Sequence, residues 1–120
     1  MFINNKSKCI PINGASSEKI YELLGRATGN SNDVSIAYLE LPPNASTPKH
    51  YHPDMAEVYY VLEGSGQLIV NNEVREIIKN DTAFIEKQKI HQLINHTDKI
   101  LHLLTVSTPA WAPESEVIVS

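Results

Sequence analysis

The chain has 120 residues, of which 42% are hydrophobic and 20% charged, values that are typical of one globular domain and argue against a disordered chain. Ten Lys and Arg against fourteen Asp and Glu give a formal net charge of -4. The basic residues are scattered, and because phosphate contacts need clustered Lys and Arg, we expect no nucleic-acid partner.

The first 33 residues have a weak hydrophobic pattern. Residues 17–24 fit either a short helix that ends at Gly25 or a strand that leads into the domain. Residues 26–33 are rich in Gly, Asn and Ser, which predicts an exposed loop. We therefore expect residues 1–33 to form an N-terminal segment that packs on the body of the domain.

From Val34 onward the hydrophobic pattern has a period near two and is interrupted by turn residues. Asn71-Asn72 between two of these runs predicts a tight hairpin, because Asn tolerates the positive φ angles of such turns. Short runs with turns about every eight to twelve residues are typical of a β-sandwich or barrel. We predict an all-β, antiparallel single domain with its core in residues 34–108 and a C-terminal tail at 109–120. The predicted strands are 34–41, 58–62, 67–70, 73–78, 82–85, 90–94 and 99–106.

The spacing of the histidines predicts a metal site. His50 and His52 are two residues apart, so both imidazoles project from one face of an extended segment. Glu57 opens the next strand, and a barrel brings His91 from a later strand into the same space. Three imidazoles and one carboxylate suit one divalent transition metal, which is Fe, Mn, Ni, Co, Cu or Zn. The alternatives are that the two histidines only pack across strands and that Glu57 is a solvated carboxylate.

The first of these groups resembles a known motif. His50-x-His52, then four residues to Glu57, then six to Gly64, is similar to the first motif of the cupins, small β-barrels whose His, His and Glu bind metal. The resemblance covers roughly residues 35–106. It implies a cupin barrel, or jelly roll, with the metal near one end of its interior and a pocket that opens to solvent.

The second cupin motif is present in altered form. His91 and, four residues later, Asn95 fall at its positions. Asn44 and Asn80 stand where the family has glycine, which are mild changes because Asn adopts left-handed backbone conformations at modest cost. Residues 86–88 replace the family's Pro-x-Gly turn, and this turn decides how His91 enters the site.

Several other residues have two interpretations each. Tyr59 and Val61 share the strand face of Glu57 and either line a cavity or fill the core. Asn95 either forms hydrogen bonds within the barrel or fills a turn, and we favour the turn. Trp111 either caps the mouth of the barrel or packs, and we favour packing. We assign no role in the site to Cys9, His96 or His102.

The resemblance implies a metal-dependent enzyme that acts on a small oxygen-bearing metabolite. The reaction, whether of dioxygenase, isomerase, decarboxylase or lyase type, stays open, and an oxidoreductase is favoured. Glu57 is the catalytic candidate, because a carboxylate beside a metal can also accept a proton. The alternatives are a non-catalytic module that binds or senses a small molecule and a purely structural dimer. Small cupins often pair and exposed strand edges favour association, so we expect a homodimer.

The sequence also suggests where the protein resides. No apolar run approaches the ~20 residues of a membrane span, and polar residues follow the start where a secretory signal would be apolar. Cys9 is the only cysteine, which excludes an internal disulfide and fits a reducing compartment. We expect a cytoplasmic protein with no membrane partner.

Overall fold

Eleven β-strands and two short 3₁₀ helices form the regular structure of residues 1–119, the part of the chain that this computed structural model describes. The 3₁₀ helices are Lys6–Lys8 and Pro113–Ser115. Within residues 1–119 there is no helix long and apolar enough to cross a membrane. The strands are β1 (Ile12–Asn13), β2 (Lys19–Leu24), β3 (Ser35–Leu41), β4 (His50–Tyr51), β5 (Ala56–Glu63), β6 (Ser65–Val70), β7 (Glu73–Ile78), β8 (Thr82–Ile85), β9 (His91–Ile94), β10 (Leu101–Thr108) and β11 (Val117–Ile118).

The strands form two antiparallel sheets. One sheet has the order β1-β2-β3-β10-β5-β8 and the other has the order β11-β4-β9-β6-β7. Every strand pair in both sheets is antiparallel, which confirms the prediction of an all-β, jelly-roll fold.

The hydrophobic core lies between the two sheets. Because successive side chains of a strand point to opposite faces, alternate residues of β5 and β10 reach it, and Val61, Leu101 and Leu103 are at most 1% exposed. From the other sheet, Leu68 and Leu93 meet them. The remaining members of this cluster are Leu39, Leu41, Tyr59, Ile77 and Ile85.

The predicted hairpin around Asn71-Asn72 is confirmed. It joins β6 to β7, and Asn71 has φ of 54°. The preceding turn, which the gap between the predicted strands 58–62 and 67–70 places at 63–66, is shorter, because Glu63 belongs to β5 and Ser65 and Gly66 belong to β6. Gly64 makes the reversal alone with φ of 90°, and a Cβ there would lie 2.9 Å from the carbonyl oxygen of Ile100. Only glycine combines that backbone angle with that close approach.

Both ends of the chain contribute strands. Residues 19–24 form β2, which pairs with β3, so the open choice between helix and strand is resolved as strand. The segment predicted as a C-terminal tail contains β11, which pairs with β4. Two-residue strands such as β11 have no detectable hydrophobic period, so the sequence pattern did not reveal it.

Asn95 does more than fill a turn. It is fully buried at the end of β9, and its amide group donates to the carbonyl oxygens of Leu41, Pro42 and Lys99. Its Oδ1 accepts from the backbone N–H and the hydroxyl of Thr97. The favoured interpretation was therefore incomplete, because Asn95 both orders the loop after β9 and satisfies buried backbone carbonyls.

Candidate metal centre

Two strands of the smaller sheet position three histidines. β4 and β9 pair at His50 and His91, so these residues are directly opposite and point to the same face. His52 lies just after β4 and shares the face of His50, as the spacing predicts. The centroids of the His50 and His91 rings are 4.2 Å apart, and that of His52 is 5.0 Å from His50.

Each imidazole is oriented by a backbone carbonyl. Nδ1 of His50 lies 2.6 Å from the oxygen of Pro48, Nδ1 of His52 lies 2.9 Å from that of Ser115, and Nδ1 of His91 lies 2.9 Å from that of Lys89. A carbonyl oxygen only accepts hydrogen bonds, so Nδ1 carries the proton and donates. A ring that is neutral with its proton on Nδ1 has its Nε2 lone pair available to bind a cation, which is the usual arrangement of metal-ligating histidines.

Glu57 reaches the same point from the opposite sheet. Its Oε1 lies 3.2 Å from Nε2 of His91 and 3.4 Å from Nε2 of His52. One donor atom from each of the four residues, His50, His52, Glu57 and His91, lies within 4.8 Å of the others, and all four residues are buried. Metal–nitrogen bonds of about 2.0–2.1 Å allow donors about 4 Å apart to share one ion. The structure thus brings together all four residues that the sequence predicts as ligands.

The cluster sets the charge of its own members. Burial alone raises the pKa of Glu57, but the imidazoles of His52 and His91 outweigh burial and lower that pKa to about 2. Burial lowers the pKa of His50, and the neighbouring His91 lowers it further. Burial also acts to lower the pKa of His52, but Glu57 reverses the shift and raises it. Glu57 is therefore ionised at neutral pH and His50 is neutral, as metal ligands must be.

One buried atom tests whether a metal fits. In the part of the chain that the structure describes, Nε2 of His52 is buried and has no hydrogen-bond partner, although Glu57 lies 3.4 Å away. A buried acceptor without a partner costs about 1–3 kcal/mol, so native proteins rarely keep one without reason. A cation at the centre of the four donors removes this cost. The residues present therefore fit a divalent transition metal.

The altered turn before β9 still presents His91. Gln88 has φ of 70°, so it adopts the left-handed conformation although it is not glycine, and its N–H donates to the carbonyl oxygen of His52 at 2.7 Å. Asn44 and Asn80 have φ of 61° and 74°, as expected of Asn in place of glycine. The loop thus holds His91 and His52 together despite the loss of the Pro-x-Gly sequence.

A cavity of ≈ 260 Å³ reaches the cluster, with His50 and Glu57 in its wall. Strand register orders the interior side chains of the larger sheet, in the cavity wall and in the core behind it, into rows. Glu57 is opposite Ser107, which is opposite Ser35, and this row is polar. Four residues further along β5, Val61 is opposite Leu103, and this row is apolar. The interior therefore changes from polar beside the donors to apolar at the other end.

The sequence analysis did not identify four residues of the site. Ser115 orients His52 through its carbonyl, and Glu116 places Oε1 3.9 Å from Nε2 of His50. Both belong to the supposed tail, where only the β-branched run 117–119 signals a strand. Glu18 and Glu22 line the cavity from the N-terminal segment. Alternation along β2 puts Glu22 on the same face as Ile20, which is a usable signal once β2 is read as a strand.

The remaining residues that the sequence singled out divide between cavity, core and surface. Tyr59 lines the cavity, whereas Val61 lies in the core. Trp111, for which we favoured packing, lines the cavity and is 37% exposed. His96 and His102 are not part of the cluster, and Cys9 lies in the N-terminal segment outside the cavity wall.

Comparison with known proteins agrees with this architecture. The model of the Cupin domain family matches residues 37–107, more than half of the chain. An uncharacterized protein of Methanocaldococcus jannaschii, MJ1618, is 33% identical over 84 residues, which cover 70% of this chain and 67% of that protein. All four donor residues lie inside the matched region.

Two solved structures share the fold. One is described as a "predicted oxalate decarboxylase" from Thermotoga maritima, with a TM-score of 0.79, 24% identity, and coverage of 89% of this chain and 98% of that chain. The other is the polyketide cyclase RemF from Streptomyces resistomycificus, with a TM-score of 0.82, 21% identity, and coverage of 100% and 86%. At these identities the likeness establishes the fold and leaves the reaction open.

Proposed function

Because the chain belongs to the cupin family, we propose that it is a metal-dependent enzyme that acts on a small oxygen-bearing metabolite. The observation that carries this proposal is the convergence of four buried donor atoms within 4.8 Å beside a cavity. His50, His52, Glu57 and His91 would hold one divalent transition metal. Such an ion supplies Lewis acidity or redox chemistry to an oxygen-bearing substrate.

Glu57 is the residue we propose as catalytic. Its carboxylate lies in the cavity wall, so it can take a proton from a substrate bound there and return it later. Its lowered pKa makes it a weak base in the resting site. The contacts with His52 and His91 cause this lowering. If the carboxylate moves away from either histidine, its pKa rises and it becomes a stronger base.

Tyr59 is placed to assist Glu57. It lines the same cavity two residues along β5. Burial, and then the negative charge of Glu57, raises the pKa of Tyr59 well above 10, so its phenol stays protonated and can donate a hydrogen bond to substrate oxygen. Leu39 lies opposite Leu103 of the apolar row and lines the cavity, so it would keep water from the far side of a bound substrate.

Metal analysis tests the proposal. The wild-type protein, reconstituted with Fe²⁺, Mn²⁺ or Zn²⁺ and desalted, should retain close to one ion per chain by elemental analysis. His50→Ala and His52→Ala should each retain far less. His96→Ala serves as the matched control, because His96 lies outside the cluster. A wild-type protein that retains no transition metal after reconstitution would contradict the proposal.

Turnover separates the enzyme from a binding module. The loaded protein is incubated with oxygen-bearing metabolites, and substrate loss and dioxygen consumption are followed. Consumption that disappears in Glu57→Gln supports the enzyme. A compound that binds, stabilises the fold and is recovered unchanged supports the binding module instead.

We also propose that the chain forms a homodimer. The edge strand β8 carries Phe84, which is 66% exposed, and exposed apolar edges favour association. Light scattering across a concentration series should give twice the chain mass. A mass that stays at one chain at high concentration would contradict the dimer.

A further inference from the structure

The cavity beside the cluster has an apolar rim. Three of its lining residues are large, apolar and strongly exposed to solvent, namely Ile12, Trp111 and Ile118, with exposed fractions of 56%, 37% and 56%. Ile12 lies on β1 and Ile118 on β11, the end strands of the two sheets, so the rim joins three distant parts of the chain. Apolar side chains that face water around a cavity indicate a binding site for an apolar group.

The charged side chains of the wall offer no partner to a further charge on a ligand. No Lys or Arg lines the cavity within residues 1–119. Of its four carboxylates, those of Glu57 and Glu116 lie beside the imidazoles of the metal centre. Glu18 accepts from a backbone N–H of its own loop, and Glu22 folds over Gly25 with its Oε1 buried. An ionised ligand group outside the metal centre would therefore lose its hydration without gaining an opposite charge.

Small and apolar side chains form much of the remaining wall. Ala37 of β3 is opposite Thr105 of β10, and both line the cavity. These two small side chains leave space, whereas the next row along the same strands is filled by Leu39 and Leu103. Ile20 of β2 is opposite Leu39, and both line the same space. An apolar group that is buried against these side chains is stabilised because its surface is removed from water.

The volume of the cavity limits the size of that group. The cavity has a volume of ≈ 260 Å³. An apolar cavity of about 150 Å³ can hold one benzene, so this one has room for a single six-membered ring with its oxygen-bearing substituent, but not for two fused rings as well. The backbone N–H of Trp111 donates to Oγ of Ser35 at 2.9 Å, which holds the segment of Trp111 against the polar row. Its indole thus provides a flat apolar face at the rim.

We propose that the ligand of this cavity is a molecule with one uncharged six-membered ring, which packs against Trp111 and the apolar wall while its oxygen-bearing group faces the metal donors. This inference rests on the proposed function, since it places the oxygen at the metal. It makes Trp111 a specificity-determining residue. It also excludes ligands with a second ionised group, for which the wall has no partner, and ligands with fused rings, for which it has no room.

Matched hydroxamates test the ring preference. The zinc-loaded protein is titrated by calorimetry with benzohydroxamate and with four relatives that share its metal-binding head: acetohydroxamate, 2-naphthohydroxamate, 4-carboxybenzohydroxamate and 4-(aminomethyl)benzohydroxamate. Benzohydroxamate should bind about tenfold more tightly than each of the four. Trp111 is the only tryptophan of the chain, so its fluorescence emission should change as benzohydroxamate saturates the protein.

Two variants locate the ring. Trp111→Ala should reduce the preference for benzohydroxamate over acetohydroxamate by about threefold or more, with zinc content unchanged. Phe84→Ala, the loss of an exposed ring on β8 outside the cavity wall, is the control and should leave the preference unchanged. Ala37→Leu should fill the space and remove the preference from zinc-loaded folded protein. Trp111→Ala is the deciding variant, because its side chain is partly exposed and its loss leaves the core intact.

The outcomes separate the two proposals. Benzohydroxamate binding that is no tighter than that of any one relative, no binding of any hydroxamate, or an unchanged preference in Trp111→Ala overturns the inference and leaves the metal site standing. Failure of the protein to hold zinc overturns the proposed function instead. In that case cyclohexanol and cyclohexanecarboxylate are titrated into metal-free protein with Trp111 emission as the readout. A response to cyclohexanol alone supports the inference, and any other result overturns it.

Discussion

The two ends of the barrel interior are built from different chemistry. At one end Leu93, Leu101 and Leu103 are 0% exposed and pack against each other between the sheets. At the other end the same two sheets bury three imidazoles and a carboxylate, and Nε2 of one of these imidazoles, that of His52, has no hydrogen-bond partner among residues 1–119. The apolar end supplies the hydrophobic free energy of folding, whereas the polar end carries a desolvation cost that pairing among its groups or a bound cation must offset. Stability and function are thus placed in separate layers of one core.

The largest effect on stability should come from the apolar end. Leu103→Ala leaves a cavity in the packed core, so the free energy of unfolding should fall by about 2–5 kcal/mol in urea titrations of metal-free protein. Leu104→Ala, on the outer face of the same strand, is the matched control and should cost less. Metal content per folded chain should stay unchanged in both. Equal losses at the two positions would break the comparison.

The free energy of unfolding at acidic pH should depend on the polar end. The folded-state pKa of Glu57 is about 2, below its ordinary value of 4.5, so its contribution is present above pH 4.5 and is lost as pH falls toward 2. A shift of that size corresponds to up to about 3 kcal/mol. In metal-free protein, the stability difference between wild type and Glu57→Gln should therefore shrink between pH 4.5 and pH 2. A difference that stays constant over this range would contradict the paired carboxylate.

Asn95 gives a test at the edge of the apolar end. Asn95→Asp keeps the acceptor oxygen that faces Thr97 but replaces the amide group, the donor to the carbonyl groups of Leu41, Pro42 and Lys99, with a second oxygen. We expect a loss of about 1–3 kcal/mol in the free energy of unfolding, with metal retained by the folded protein. Asn72→Asp, at the exposed hairpin turn, is the control. Unchanged stability of Asn95→Asp would show that these hydrogen bonds are dispensable.

The smallest effect should come from a change to Ser115, which holds the turn that orients His52. The hydroxyl of Ser115 donates to the carbonyl of Ala112 at 2.6 Å and accepts from its N–H, which holds the turn whose own carbonyl orients His52. Ser115→Ala should weaken metal binding by about tenfold or less, because it acts through a second residue. Competition with a chelator measures this, and Ser7→Ala is the control. An effect as large as that of His52→Ala would mean that Ser115 itself is a ligand.

The four donor residues could be predicted from the sequence, whereas the residues around them mostly could not. His50 and His52 follow from strand alternation alone, and the spacing to Glu57 carries the family motif. Ser115 contacts His52 across 63 positions of the chain, and no local pattern encodes such a contact. The position of Glu22 in the cavity wall depends on whether residues 17–24 form a strand or a helix, and the sequence left that choice open. Local patterns thus indicated the donors, whereas long-range register determined what surrounds them.

The longer strands could be predicted from the sequence, whereas the shortest strands could not. Alternation in 34–41 reflects one buried face, which the core enforces, whereas β7 buries Ile77 alone. β4 and β11 have two residues each, so their pairing is determined by neighbouring strands and not by their own sequence. Gln88 at positive φ is a further case, because tertiary contacts with His52 hold a conformation that its residue type disfavours.

Anomalous scattering from crystals of the reconstituted protein, recorded on both sides of the metal's absorption edge, tests the central claim most directly. We expect one strong peak within bonding distance of Nε2 of His50, His52 and His91 and of a carboxylate oxygen of Glu57. A peak elsewhere on the chain, or none at the four donors in fully loaded protein, would contradict the account of this end of the barrel as a metal centre.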